Sequence, residues 1–475
     1  MNRLGLWTSL ETCQATGGRS NTEWTCTGIA IDSRAVRPGD LFVALVGPNN
    51  DAHDYVANAL SAGAVAAMVH RRPEGVPTDA PLVEVDDTLE ALNAMARARR
   101  AYTAAAVIAI TGSVGKTGTK EALRRVLCQQ APTHANVASF NNHWGAPLSL
   151  ARLPRDARFA IFELGMNAPG EIRELSRLVR PHLAIITTVE AAHLEFFESV
   201  EQIADAKAEI FEGLVDGGTA LINADNPYAD ILRAAAERSG AGRIVGFGGG
   251  AGADARLINA VLHASSSTVS ADVIGQAVTF KVGAPGRHWT INAVAVLAAA
   301  KLLGADIGLA ALAMADLTPP KGRGERHQVR LADGAFELID ESYNANPASM
   351  RAALELLTVA RPGPTGRRIA VLGDMLELGE DAPRLHRELA EEVARRPVDM
   401  VFACGEQSAH LFQALPKERR ILHTELSVDM VAPLLEQIRA GDVVMVKGSL
   451  GVRMAPIVEA LLARGAGDGD AVAFG

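Results

Sequence analysis

Along the chain the spacing of apolar positions changes several times, and each change predicts a different kind of element. Up to residue 84, short runs suited to strands (GIAID, LFVAL, AAMVH, LVEVD) are separated by Gly, Pro and Asp turns. DTLEALNAMARARRAY, residues 87–102, then places Leu, Ala and Met at helical intervals and ends in a basic cluster, predicting a helix that leads into a second domain. From Ala105, continuous apolar strands (AAAVIAIT, FAIFELG, LAIITTV, TALINAD) alternate with helical segments such as TKEALRRVLCQQ and EQIADAKAEIFEGL. That alternation predicts a parallel sheet covered on both faces. Residues 254–282 read as short alternating strands of a small antiparallel sheet, ahead of the helix TINAVAVLAAAKLLG. The glycine-rich TPPKGRGERH sets a boundary near 318, and FELIDESY, RRIAVLGDM, DMVFACG and DVVMVKGS beyond it predict a second parallel unit. The expected fold class is α/β in three domains, spanning 1–84, 85–317 and 318–475.

Composition narrows the classes. A chain of 475 residues suits about three domains at roughly 150 residues each. With 48% hydrophobic and 21% charged residues it is not intrinsically disordered. A net charge of −9 leaves no global basic field for nucleic acid or anionic lipid. Cysteines 13, 26, 128 and 404 show no C-x-x-C spacing and read as reduced thiols of a cytoplasmic protein. No secretory signal is visible at the start, and the apolar stretch Thr290–Leu317 is broken by Lys301, Asp306 and Asp316, so no membrane span is expected.

The sharpest chemical signal is AVIAITGSVGKTGTKEAL. An apolar strand ends at Thr111, the loop Gly112-Ser113-Val114-Gly115-Lys116-Thr117-Gly118 follows, and a helix starts at once. Glycines let backbone N–H groups close around phosphate, and a helix N-terminus adds partial positive charge. Lys116 is placed to reach the β- and γ-phosphates of ATP, and the Thr117 hydroxyl to ligate Mg²⁺. Ile110 stands where the common motif has its first glycine, so this is a variant of the phosphate loop. A second glycine cluster, GFGGGAG at 246–252, lacks the rest of a dinucleotide fingerprint and reads as a surface turn.

Further strings, read in order, carry a family resemblance: FNNHWGAPLSL (140–150), FELGM (162–166), AHLEFF (192–197), AKAEIF (206–211) and GRHWTIN (286–292). With DSRAVRPGDLFVAL (32–45), GRGE (322–325) and DESYNANP (340–347), the chain resembles the Mur ligase family along essentially its whole length. The resemblance implies ATP-dependent amide formation through an acyl phosphate. DESYNANPASM, VLGDMLELG and VKGS are most similar to the member that joins D-alanyl-D-alanine to UDP-MurNAc-tripeptide. The three domains would then bind the UDP-sugar, bind ATP, and close over ATP and the amino substrate. A monomer is the family default.

The resemblance also implies residue roles. Glu163, at the end of a buried strand pattern, would ligate Mg²⁺; a carboxylate paired with a local Arg is the alternative. His193 and Lys207 would hold a second Mg²⁺, with Lys207 carbamylated; unaided, these read as a loop histidine and a solvated helix lysine. Lys116, Lys207 and His193 form the expected catalytic set. Asn292 and Arg323 would contact adenine and ribose, although Asn292 also suits a helix start. Asp340 would face ATP, and Tyr343, Asn344 and Asn346 the incoming dipeptide, while the part of Glu341 stays open. Ser33 and Arg34, with Asp51 and His53 as weaker matches, would meet the UDP end, and Asn141 and Asn142 belong to the substrate set. Asp381-Ala382-Pro383-Arg384 resembles a substrate string of a sibling enzyme but reads as a helix start. The rival readings are a Mur-type ligase adding another amino acid and a P-loop regulatory NTPase, although no Asn-Lys-x-Asp string is evident.

Overall fold

The computed structural model describes residues 5–137, 140–192 and 194–466. Three main sheets follow one another along the chain. The first pairs Gly28–Ala30, Asp40–Val43, Ala66–Val69 and Leu82–Glu84 in parallel, with Arg19–Ser20 antiparallel at one edge. Helix Thr88–Tyr102 starts where the Asp87 carboxylate accepts the N–H groups of Leu89 (2.7 Å) and Glu90 (2.9 Å). Its Ala91, Leu92 and Met95 pack into the core of the first sheet, and Ala96 into that of the second. The basic cluster that ends this helix is a fastening. Arg100 donates to the carbonyls of Val179 (2.7 Å) and Arg180 (2.6 Å), closing the end of helix Glu171–Val179, and Arg99 stacks on Trp7 at 4.5 Å.

The central sheet has nine strands. Thr133–Ala135, Phe159–Glu163, Ala106–Thr111, Leu183–Ile186, Thr219–Asn223 and Arg243–Gly248 lie side by side in parallel. The three strands expected over 254–282 are present as Ala255–Leu262, Ser267–Val273 and Ala277–Val282, mutually antiparallel. They extend the parallel sheet instead of standing apart, because Phe247 and Gly248 pair with Ala255 and Arg256. The Asp254 carboxylate also accepts the Gly246 N–H at 2.8 Å, and Leu257, Val269 and Phe280 share a core with helix Arg287–Leu302. The glycine cluster is a turn in which Gly249 and Gly250 donate to Asp225 (2.6 and 2.8 Å). Helix Arg287–Leu302 begins three residues before the expected Thr290, and no helix among the described residues is long and apolar enough to cross a membrane.

The last sheet runs Glu325–Leu331, Gly334–Glu341, Val443–Lys447, Arg368–Gly373, Met400–Cys404, Arg420–Thr424, parallel apart from its first hairpin. Helix Ala382–Ala394 carries a proline in its first turn, as the Asp381 string predicts. Loops after the carboxyl ends of the central strands meet loops after the carboxyl ends of the last sheet, which is where open α/β sheets present their ligand sites.

Buried histidines make this architecture acid-sensitive. Nε2 of His134 lies 2.9 Å from the Ser149 carbonyl, and burial lowers its pKa from 6.5 to about 4. Burial likewise lowers His288 to about 4 and pushes down His53, His182 and His386. Between those limits the unfolded chain binds protons that the native state refuses, so stability is present above pH 6.5 and is lost as pH falls towards 4. Thermal melts should show Tm falling through that window. His134→Gln should flatten the slope, since a shift of this size corresponds to about 3 kcal/mol; an unchanged slope would remove His134 from the account.

Candidate active site

Strand Ala106–Thr111 delivers the chain into the glycine loop, and helix Lys116–Cys128 leaves it. Gly115 has φ +88° and closes the turn in a conformation that disfavours other residues. A Cβ on Gly112 would lie 2.0 Å from Thr187 Oγ1. The loop is braced from the neighbouring strand end: Ser113 N–H donates to Thr188 O (2.8 Å), Ser113 Oγ to Glu190 O (3.1 Å), and Thr187 Oγ1 to Val114 O (2.6 Å). Gly118 serves packing, since a Cβ there would stand 2.8 Å from the Trp289 ring.

Around this loop the side chains are desolvated and charged. Lys116 Nζ donates to Gly112 O at 2.5 Å; burial lowers its pKa against the pull of Glu163, with Arg323 lowering it further. Glu163, 2% exposed, sits at the end of its strand beside Ile110. Its carboxylate accepts Thr117 Oγ1 at 2.9 Å and Asn141 Nδ2 at 3.0 Å, with Lys120 Nζ 4.0 Å away. Asn136 grips the Glu163 backbone, accepting its N–H at 2.9 Å and donating to its carbonyl at 3.3 Å. The alternative partner, a local arginine, is replaced by this lysine. Lys207, 1% exposed on helix Val200–Ala208, is driven well below the usual lysine range by burial and then by the charge of Lys116, so it is no solvated surface lysine. His193 lies outside the described residues.

A cavity of about 350 Å³ joins the phosphate loop, Asn292 and Arg323 to Asn344 and Asn346 of the last unit. Asn292 occupies the interior of helix Arg287–Leu302 and not its start, with its Nδ2 close under Gly115. Arg323 stacks over the Tyr343 ring at 4.1 Å. A second cavity of about 290 Å³ brings Lys116, Asn141 and Glu163 together with Tyr343, Asn344, Asn346 and Ser449. Asn346 also caps helix Pro347–Val359, its Oδ1 accepting the Ser349 N–H at 2.8 Å.

Other predicted residues lie elsewhere. Asp340 is buried under its own loop, accepting the Ser342 N–H at 3.0 Å, and lines neither cavity; Glu341 lines the first in its place. Asn142 accepts the N–H groups of Trp144 (3.2 Å) and Gly145 (3.0 Å) as a turn residue. Ser33, Arg34, Asp51 and His53 belong to the first unit and line neither cavity. Arg34 is exposed and paired in two-point fashion with Asp32 (3.0 and 2.7 Å). His53 is part of the scaffold: its Nδ1 is 2.6 Å from Asp51, and its Nε2 accepts the His70 N–H at 3.1 Å. Asp51 keeps an exposed partner in Arg71 (2.8 Å).

Residues the motifs did not single out complete the walls. Lys447, 1% exposed, donates to Asn344 O at 2.8 Å and lies 3.4 Å from Glu341; burial lowers its pKa. Lys120 is fully buried and donates to Asn136 O at 2.9 Å. The available signal was position: Lys120 follows Lys116 by one helical turn, and Lys447 stands in VKGS.

A strand–glycine loop–helix bearing Lys116 and Thr117, facing the buried carboxylate of Glu163, defines a phosphate-loop nucleotide site in a multidomain α/β protein. Family models match successive parts of the chain: Mur ligase family, catalytic domain (25–100), Mur ligase middle domain (110–300), and Mur ligase, glutamate ligase domain (322–450). The chain belongs to the Mur ligase family. It is 34% identical over 454 residues to the UDP-N-acetylmuramoyl-tripeptide–D-alanyl-D-alanine ligase of Rickettsia prowazekii, covering 96% of this chain and 99% of that one. The enzyme of the same name from Bacillus subtilis is 33% identical, covering 92% and 93%. Among solved structures, MurF from Acinetobacter baumannii superposes with a TM-score of 0.83 at 30% identity, covering 96% and 99%. MurF ligase from Thermotoga maritima, in complex with ADP, gives 0.76 at 28% identity, covering 93% and 98%.

Proposed function

We propose that this chain is a cytoplasmic ADP-forming ligase that joins D-alanyl-D-alanine to UDP-MurNAc-tripeptide, producing the pentapeptide precursor of peptidoglycan. The observation that carries the reading is the meeting of the phosphate loop with the 340–347 loop on one cavity, in a chain related end to end to enzymes of that name. The proposed domain roles follow: 1–84 for the UDP-sugar, 85–317 for ATP, and 318–475 for the amino substrate.

In the first step a carboxylate oxygen of the tripeptide attacks the γ-phosphorus of ATP, and ADP leaves. Lys116 and the loop amides, already desolvated, neutralise charge on the transferring phosphoryl group without reorganising. Asn292 and Arg323 flank the base and ribose. The dipeptide amine then attacks the acyl carbon, losing a proton as phosphate departs. Tyr343, Asn344 and Asn346 wall the amine side, and the packed interface excludes the water that would hydrolyse the acyl phosphate.

The donors suit Mg²⁺: a hydroxyl and a carboxylate oxygen already adjacent, at Thr117 and Glu163, with no cluster of three or more His, Cys, Asp or Glu among the described residues. A hydroxyl and a carboxylate oxygen are hard donors of the kind that suit Mg²⁺. Bound there, Mg²⁺ supplies charge neutralisation of the β- and γ-oxygens. A second Mg²⁺ would be held by His193 and carbamylated Lys207.

The test supplies ATP, UDP-MurNAc-tripeptide and either D-alanyl-D-alanine or free amino acids. The dipeptide alone should give ADP in step with a product heavier by the dipeptide less water. ADP formed only with a free amino acid would move the assignment to another amino-acid-adding ligase.

A further inference from the structure

Three cavities converge on one side chain, Arg323, and two of them are explained by the proposed reaction. The third, about 370 Å³, opens between helix Lys116–Cys128 and the connection 317–321. It shares Thr117 with the nucleotide cavity, and Tyr343 with the cavity holding Lys116 and Glu163. The Arg323–Tyr343 stack, centred at 4.1 Å, therefore stands as a partition between the reacting centre and this chamber.

The chamber's charge is unlike the rest of the molecule. Arg124, Arg125, Lys321, Arg323 and buried Lys120 line it, against a single carboxylate, Glu121. The formal lining charge is five positive against one negative, in a chain whose net charge is −9. Glu121 is itself committed, lying 2.8 Å from Arg124 and 3.1 Å from Lys120. Arg125 has one outside partner, Asp316 at 3.4 Å, and its Nε is buried without a hydrogen-bond partner. A buried N–H donor without an acceptor is costly, and an oxygen of a bound anion would satisfy the one at Arg125 Nε.

We propose that this chamber is an inorganic-phosphate site through which the product phosphate leaves. The inference rests on the ligase reading above. That reaction makes two products that retain the handles of their substrates, ADP and the lengthened UDP-peptide, and one that has none. Phosphate is a compact polyanion generated beside Lys116 and walled in by the third domain. A rotation of the Arg323 side chain off Tyr343 opens the way for phosphate from the reacting centre into the cationic chamber. Arg124 and Lys321, at its rim, then pass the anion to solvent. No covalent step is involved.

The test compares ATP cleavage, by rapid quench, with phosphate release, by a fluorescent phosphate sensor, in the first turnover with both substrates present. In Arg124→Gln/Lys321→Gln, cleavage should keep its rate while release slows about tenfold, the scale on which such fields alter ion traffic. Arg124→Lys/Lys321→Arg, which keeps the charge, should release phosphate as the parent does. A second arm adds inorganic phosphate to the resting enzyme at constant ionic strength. If the exit is real, re-entry should slow the parent's turnover more than the Gln variant's. Release that follows cleavage equally in parent and Gln variant overturns the proposal. So does inhibition by added phosphate without any change in release, which would mark a site for phosphate of the medium. Absence of ADP formation in the parent instead overturns the ligase reading, and with it this one.

Discussion

Replacing Lys116 with methionine should lower turnover by about a thousandfold, the scale of losing one preorganised charge at a transferring phosphoryl group. The same change should leave Tm unchanged or raise it. The folded protein holds this ammonium out of water, and burial outweighs the attraction of Glu163 in setting its pKa below the ordinary lysine value. A group in that state is a net burden on folding that an apolar replacement of similar length removes, the usual price of a site built for function. Activity should fall while the melting curve holds, measured as ADP formed per enzyme and by calorimetry on the same preparation. Methionine retaining turnover near that of the parent would remove Lys116 from phosphoryl transfer. A collapse of Tm with activity would make it a structural residue.

How far the chain announces this site depends on the kind of signal. The phosphate loop was legible because strand, glycine turn and helix are local in sequence, as are the three residues Gly115, Lys116 and Thr117. The core strands were legible for a similar reason: FAIFE and VVMVK are apolar on both faces, and only a covered parallel sheet accepts such runs. What was illegible is what sheet pairing assembles. Lys120 and Glu163 come within 4.0 Å only because Phe159–Glu163 lies beside Ala106–Thr111 in a register set by long-range pairing. Lys447 meets Glu341 because Val443–Lys447 lies beside Gly334–Glu341. What the motif match at His53 does not convey is its packing: the ring is buried, with Nδ1 2.6 Å from Asp51 and Nε2 accepting the His70 N–H. Asn142 is ambiguous by type, since asparagine suits a turn as well as a ligand contact, and here its Oδ1 accepts two N–H groups of the turn.

Lys207→Ala should be as damaging as the loss of Lys116, and the cause should be chemically repairable. Burial and the neighbouring Lys116 charge hold the Lys207 amine well below its ordinary pKa. A larger neutral fraction at physiological pH follows, and a neutral amine is the nucleophile that attacks carbon dioxide. The product is a carbamate: the nitrogen forms a bond to the CO₂ carbon and releases one proton. The adduct places an anion near Lys116, which repels the protonated form of this amine, and so creates an attraction and an oxygen ligand suited to a hard metal ion. Two consequences separate this from an ordinary structural lysine. Bicarbonate should raise the Tm of the parent enzyme and leave that of Lys207→Ala unchanged, because only the parent has an amine to modify. In the variant, turnover reduced by about a thousandfold should recover in part on adding formate or acetate, small carboxylates that occupy the vacated volume and restore the charge. Full parental activity in rigorously CO₂-free buffer, with no carboxylate rescue of the variant, would leave Lys207 as a buried amine without a carbamate. Burial and the Lys116 charge would then hold a neutral amine in place with no metal ligand made from it.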